Sequence, residues 1–493
     1  MKQLSILLVG LSALLPGAYA GRDHAGPWTR GGLKVSANGR FLQFENGEPF
    51  FWLADTGWLL FQRLDRAEAE VYLEDRRQKG FNVIQAMILH ELPETNIYGA
   101  GAVAGNDPAQ PGVPGGEHEY WEHVDFVVDL AARKGIFMAM VPVWGGIVKA
   151  GQLSVNDAKA YARFLAERYG DRPNVVWING GDIQGDNHPE VWKALGGTLH
   201  TLDPNHLMTF HPFGRTRSAQ WFHTEPWLDF NMFQSGHRRY GQIDPGGDPA
   251  QWKGEDNWRY VLEDYALTPA RPTLDGEPSY ENIPQGLHDP NEPYWQAGDA
   301  RRYAYWSVFA GACGHTYGDN AVMQMHKPGS KGAYGVRNTW LEAIHDPGAG
   351  QMRYLKALIL SRPYFERVPD PSVIAGDPGE RYDRLLATRG RGYAFVYTYT
   401  GRSFDVAMGR ISGTKVKARW YNPRNGEAVL AGEFENRGIR HFDPPGEPGP
   451  GNDWVLILDD ADESFPVPGN IFHIQYSVVT EPVRNLCVPD RNH

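Results

Sequence analysis

The chain is poor in cysteine: only Cys313 and Cys487 occur in 493 residues. Two thiols cannot staple a protein this long, so packed cores rather than a disulfide framework must hold it. Cys313 reads as an inert buried thiol, with a pair to Cys487 left open. Beyond the first twenty residues no stretch approaches the roughly 18 apolar residues of a membrane-crossing helix. Positive charge is also scarce, with 48 Lys and Arg against 59 Asp and Glu and a formal net charge of −11. That leaves no basic excess or stripe for nucleic acid. Repeats of about 20–50 residues are missing, which excludes solenoids. The 57 Gly and 36 Pro stay below the share that marks low complexity, so intrinsic disorder is excluded as well.

Several catalytic signatures are absent too. No GxSxG elbow is present to carry a hydrolase serine, and neither GxGxxG nor GxxxxGK[ST] occurs to cradle a dinucleotide or a phosphate chain. His90-Glu91-Leu92-Pro93-Glu94 resembles a zinc-protease signature only superficially. Its second histidine is missing, and Pro93 blocks the helix that would align the ligands. No N-x-[ST] sequon occurs. No metal and no cofactor are expected.

What is present begins with a leader. One lysine, an apolar run from Leu4 to Leu15 and the triplet Ala18-Tyr19-Ala20 predict a secretory signal peptide over 1–20, cleaved after Ala20. The mature protein is expected outside the cytoplasm, extracellular or periplasmic. Between residues 50 and 320, short β-branched and aromatic runs alternate with helical periodicity. The runs are FFWLADT (50–56), FNVIQAMIL (81–89), IFMAMVPVW (136–144), NVVWINGGD (174–182), LMTFHP (207–212), LDFNMFQSGH (228–237), RPTLDGEP (271–278) and GHTYGDN (314–320). Helices are predicted at 65–79, 120–134, 155–169, 188–202, 256–266 and 299–313. Eight such units predict a (β/α)8 TIM barrel over 31–362; the fifth-to-sixth connection shows no convincing helix. Past Pro363 the period switches to two, with Gly/Asn turns such as Asn422-Pro423-Arg424-Asn425-Gly426, which predicts an antiparallel β-sandwich over 363–460. Residues 461–493 take no assignment.

In such a barrel the residues ending each strand converge on one mouth. Here they are Asp55, His90 and Glu91, Trp144, Asp182, His211, Gln234, His237, Glu277, Tyr280, Tyr317 and Asp319, with Trp58 and Glu281 close by. Stability alone would favour apolar residues there. A sugar site wants carboxylates for chemistry, amides and imidazoles for hydroxyls, and flat rings for sugar faces. Asp182, ending the fourth strand, and Glu277, ending the seventh, lie across the mouth from each other, as the two carboxyl groups that flank a scissile glycosidic bond must. Each follows glycine, which leaves room for a ligand. Asp55 reads equally as a sugar contact or a loop anchor. Glu91 and Glu281 read as hydrogen-bond acceptors or charged neighbours of the pair.

NVVWINGGD (174–182), HPFG (211–214), FNMFQSGH (230–237), LDGEPSYE (274–281) and RRYAYWSVFAGACGHTYGDN (301–320), with the segments 38–64 and 75–85, resemble the apiosidase-like proteins of glycoside hydrolase family 140 over about residues 31–460. The resemblance implies that Asp182 of the GGD motif is the catalytic acid/base and Glu277 of the DGEP motif the nucleophile. It also implies a pectic substrate, the apiosyl linkages of rhamnogalacturonan-II. Asp55, Trp58, Glu91, Trp144, His211, Gln234, His237, Tyr280, Glu281 and Tyr317 are the expected substrate contacts. The competing class, a carbohydrate-binding or surface-scaffold protein on the same barrel, has no need of two acids at those strand ends.

Overall fold

The computed structural model describes residues 28–112, 116, 118–243 and 251–468. The leader, Cys487 and most of the unassigned tail lie outside the described residues.

Eight short parallel strands organise the larger part of the chain: β1 (Trp52–Thr56), β2 (Val83–Leu89), β3 (Phe137–Val143), β4 (Val175–Ile183), β5 (Met208–Pro212), β6 (Asn231–Gln234), β7 (Thr273–Asp275) and β8 (Gly314–Tyr317). Each falls within a run predicted from sequence, except that β4 extends one residue past its run to Ile183. All residues of β2 and β3 are buried, and continuous apolar runs of this kind suit parallel strands covered on both faces. Six strands form one hydrogen-bonded curved sheet in the order β8-β1-β2-β3-β4-β5, and β6 pairs with β7 in parallel. Isolated bonds bridge the two seams. Asp229 N donates to Met208 O at 2.8 Å, and Cys313 N donates to Thr273 O at 2.9 Å. The architecture is barrel-like, and its strands run in barrel order.

The helices α1 (Arg66–Gln78), α2 (Tyr120–Arg133), α3 (Val155–Tyr169), α4 (Pro189–Leu202), α5 (Asn257–Tyr265), α6 (Ala297–Phe309) and α7 (Pro347–Leu360) follow local signals. Asp65 caps α1 in a reciprocal box with Glu68, and Ser154 does the same for α3 with Asp157, which satisfies backbone N–H groups that have no partner inside the helix. The β5–β6 connection holds only a four-residue helical turn, Ala219–Phe222. A three-stranded antiparallel sheet, Leu33–Val35, Leu42–Phe44 and Pro49–Phe50, precedes β1; strands of two or three residues carry too little periodicity to predict. Phe50 and Trp28 pack on Phe137 at 5.3 and 4.9 Å between ring centres. Because Phe137 begins β3, this sheet covers the amino-terminal end of the strands.

Beyond α7 the strands β9 (Leu386–Arg389), β10 (Tyr393–Thr398), β11 (Lys415–Tyr421), β12 (Ala428–Glu435) and β13 (Trp454–Asp460) build an antiparallel sheet in the order β9-β10-β13-β11-β12, with Val368–Pro369 at the β9 edge. A second sheet of three short strands, Ile374–Ala375, Phe404–Ala407 and Ile439–Phe442, accompanies it. Every residue of β10 and β13 is buried. One face (Ala394, Val396, Leu456) joins the core between the two sheets, and the other (Tyr393, Phe395, Tyr397, Ile457) joins the core shared with α6. Tyr305 stacks on Tyr397 at 4.9 Å, and Arg301 holds Asp453 through two bonds of 2.9 and 2.8 Å. Cys313 is buried and free, and burial pushes its thiol up to about 12.

Candidate active site

A cleft of about 640 Å³ opens at the carboxyl ends of the strands, with Trp58, Trp144, Asp182, Gln234, His237, Glu277 and Tyr280 in its lining. The backbone creates it locally. In β4, Gly180, Gly181 and Asp182 all take positive φ, 87°, 119° and 49°, and pairing with β5 slips between Gly180 and Ile183. A Cβ on Gly181 would meet the Trp144 ring at 2.5 Å, so only glycine lets the strand turn here. The bulge aims Asp182 into the open cleft, where its side chain is exposed to the cleft solvent yet ringed by protein.

Glu277 follows β7 and is 8% exposed. His237 Nε2 lies 3.1 Å from its Oε1, and His211 Nε2 lies 3.3 Å from its Oε2. The Asp182 amide donates to His211 Nδ1 at 3.4 Å, so the imidazole N–H of that ring is on Nε2, facing Glu277. Gly236 N donates to the Glu277 carbonyl at 3.0 Å. Beneath this turn, buried Asp275 accepts the Ser235 hydroxyl at 2.6 Å and the Ser235 amide at 3.2 Å, tying the end of β6 to that of β7.

The two carboxyl groups are held in opposite states. Desolvation, and then the negative charge of Glu277, raises Asp182 to about 6 against the pull of His211 and a hydrogen bond from Gln234. Burial alone would raise Glu277 as well, but the contacts and electrostatic pull of His211 and His237 outweigh it and hold the group at about 2. One acid proton and one carboxylate therefore coexist in mildly acidic solution. Aromatic side chains wall the pair. Trp58 Nε1 donates to the Tyr280 hydroxyl at 3.1 Å, Trp58 lies 5.4 Å from Trp144, and Tyr280 stands edge-on to His237 at 4.8 Å.

Five expected substrate contacts stand elsewhere. Asp55 is wholly buried, paired with Arg76 Nε at 3.0 Å and with the Tyr72 hydroxyl at 2.6 Å; of its two readings the structure realises the anchor. Glu281 and Tyr317 bond each other at 2.6 Å behind the wall, beside Asp319 and Asp346, and burial lifts Glu281 to about 7. Glu91 is exposed and outside the cleft lining, while the buried acid of its loop is Glu94, which accepts the His90 amide at 2.8 Å. His211 touches Glu277 from behind and has no exposed surface.

Conversely, Tyr334 lines the cleft and lay outside every predicted element. It is 40% exposed, has φ 53°, and its carbonyl accepts Asn320 Nδ2 at 2.8 Å. Its hydroxyl is raised by burial and by the charges of Asp182 and Glu277, which line the same cleft. No motif marked it in sequence. Arg63, Arg215, Arg238 and Lys331 also line the cleft. Among the described residues no group of three or more His, Cys, Asp or Glu is arranged to hold a metal ion, and no helix is long and apolar enough to cross a membrane.

Unlike carboxyl groups under aromatic walls at the carboxyl edge of parallel strands are the site of a glycoside hydrolase, and the chain is one. A solved structure described as "Glycoside hydrolase" shares 52% identity, covering 89% of this chain and 99% of its own, with a TM-score of 0.87. A second, described as a glycoside hydrolase family 5 from Bacteroides vulgatus, shares 49% identity over 89% and 95% of the two chains, with a TM-score of 0.86. The family model "Apiosidase-like, catalytic domain" matches residues 36–366, and the chain belongs to that family. A second model, "Putative collagen-binding domain of a collagenase", matches residues 368–459. No curated protein matches.

Proposed function

We propose that the protein is a secreted glycoside hydrolase of family 140 that cleaves apiosyl linkages in pectic rhamnogalacturonan-II, with Glu277 as nucleophile and Asp182 as acid/base on a (β/α)8 barrel spanning residues 31–362. The β-sandwich over 363–460 acts as a packing module or carbohydrate-contacting accessory. The observation that carries the chemistry is the placement of the two carboxyl groups in one cleft: His237 Nε2 at 3.1 Å and His211 Nε2 at 3.3 Å favour the ionised form of Glu277, while desolvation and the charge of Glu277 favour the protonated form of Asp182. In the first step ionised Glu277 attacks the anomeric carbon while protonated Asp182 gives its proton to the leaving oxygen. In the second, Asp182, now ionised, takes a proton from water, which displaces Glu277 and returns the anomeric configuration to its starting hand. His211 and His237 keep Glu277 ionised and fix its orientation. A cationic rim of Arg63, Arg215, Arg238 and Lys331 in a chain of net charge −11 suits a galacturonate carboxylate on the leaving side.

The test is sugar release from rhamnogalacturonan-II, an arabinan and a xylan by one purified preparation, with the anomer of the first product read by proton NMR. Apiose-containing product from the pectic substrate alone, with retained configuration, is expected. Asp182→Asn and Glu277→Gln should each lower kcat by about 10³-fold or more. Activity should require protonated Asp182, so kcat/KM falls as pH rises through about 6, and it should require ionised Glu277, so the acid limb lies near 2. An alkaline limb unmoved by Asp182→Glu would remove Asp182 from the acid role, and release from none of the polysaccharides would favour a binding protein.

A further inference from the structure

A second hollow, of about 470 Å³, lies where the chain after β6 and the start of α5 meet the first turns of the C-terminal module, and it shares no residue with the cleft. Its walls combine three rings, Tyr240, Trp252 and Trp258, with four cations, Lys253, Arg259, Arg381 and Arg384. Two acids accompany them. Asp256 is engaged, accepting the Lys253 amide at 2.9 Å and standing 3.4 Å from Arg259, and Glu380 is exposed.

The remaining positive charge is poorly answered. Lys253 is 8% exposed, and its ammonium has neither hydrogen bond nor ion pair among the described residues. Among the described residues the Arg384 guanidinium lies 4.3 Å over the Trp258 ring, bonds the Gly379 carbonyl at 3.3 Å, and leaves its Nε buried without a partner. Arg259 stands 4.9 Å from the same ring. Burial, followed by the charge of Arg259, pushes the Arg384 pKa down against the opposing charges of Asp377, Tyr240 and Glu380.

Lys253 is a buried cation without a partner among the described residues, which is costly, and with Arg384 in the same wall it makes the hollow suited to an anion. An inorganic anion would use the cations but has no apolar face to set against the rings. A neutral glycan would stack on the rings and leave the cations unanswered. A sugar ring bearing a carboxylate uses both: its C–H face lies on indole or phenol and its carboxylate meets guanidinium and ammonium. The volume is within the usual range of roughly 300–1,000 Å³ for small-molecule sites and suits one or two sugar rings.

We propose that this hollow is a second saccharide site, selective for a uronate unit, which holds an acidic polysaccharide while the cleft acts on another part of the same chain. The proposal deepens the pectic reading above, but it stands on different residues and a different readout.

Full-length protein carrying Glu277→Gln, which binds without turnover, is titrated calorimetrically with trigalacturonic acid, maltotriose and inorganic phosphate. Trigalacturonic acid should show a binding event that Lys253→Met with Arg384→Gln weakens by about tenfold or more, while maltotriose and phosphate bind far more weakly there. With Glu277 intact, the double variant should keep its kcat on a small aryl glycoside and lose efficiency on long pectic chains. If the double variant does not fold, Arg381→Gln at the exposed rim should give the same effect in smaller degree. Isotherms unchanged by these substitutions, or phosphate competing on equal terms with the trisaccharide, would overturn the proposal. Uronate binding here without release of apiose would leave this site standing and fell the substrate assignment.

Discussion

Asp182 and Glu277 are told apart by their neighbours: two imidazoles hold Glu277 ionised, while desolvation and the charge of Glu277 favour the proton on Asp182. Both acids could be chosen from sequence because strand ends of a β/α frame converge and because glycine precedes each. The state of each could not, since the histidines that hold Glu277 low end β5 and follow β6, 66 and 40 residues away in the chain. Asp55 shows the same limit. Its partners Tyr72 and Arg76 are on α1, and nothing local to Leu-Ala-Asp-Thr-Gly-Trp told an anchoring ion pair from a sugar contact. Tyr334 is the residue this reasoning passed over. Its left-handed φ of 53° costs a non-glycine side chain on the order of 1 kcal/mol, and strain of that kind concentrates where a side chain is needed. Tyr334→Gly should therefore leave the thermal midpoint unchanged or raised while increasing KM about 5- to 50-fold, and Tyr334→Phe should restore most of the affinity. Equal KM values in all three proteins would make the ring a bystander.

At the scale of elements, the parallel strands and the helices between them were legible because burial on both faces leaves continuous apolar runs, and because helix ends advertise their caps, as Asp65 and Ser154 do. The bulge at the end of β4 was not legible as geometry, although its two glycines were visible. Substituting one of them tests what the bulge does. Gly181→Ala would put a methyl group 2.5 Å from the Trp144 ring at φ 119°, a conformation that L side chains rarely adopt. The expected outcome is a loss of about 2–4 kcal/mol in chemical denaturation, and a fall in kcat larger than that of a comparably destabilising core substitution, because Asp182 is re-aimed. Equal falls in kcat would mean that the bulge serves stability alone.

For the whole molecule, the C-terminal module was readable as alternating strands, yet the alternation misleads about exposure. Tyr393, Phe395 and Tyr397 face the barrel-like part, Ala394 and Val396 face the second sheet, and neither side of β10 meets water. The two parts share one core across α6, and Arg301 is sealed within it against Asp453. Arg301→Ala leaves that carboxylate buried without its partner, which should cost about 3–5 kcal/mol. Scanning calorimetry of the intact protein should give one transition, and the variant should lower it as a unit. Two well-separated transitions in the unaltered chain would contradict a shared core.

The small sheet of Leu33–Val35, Leu42–Phe44 and Pro49–Phe50 has a practical corollary. It sits on the end of the strands opposite the cleft, so an affinity tag or solid support joined ahead of Trp28 attaches at the rear of the enzyme. Beads loaded this way would present the mouth outwards to bulky polymer, whereas random coupling through surface amines would engage Lys331 and narrow the entrance.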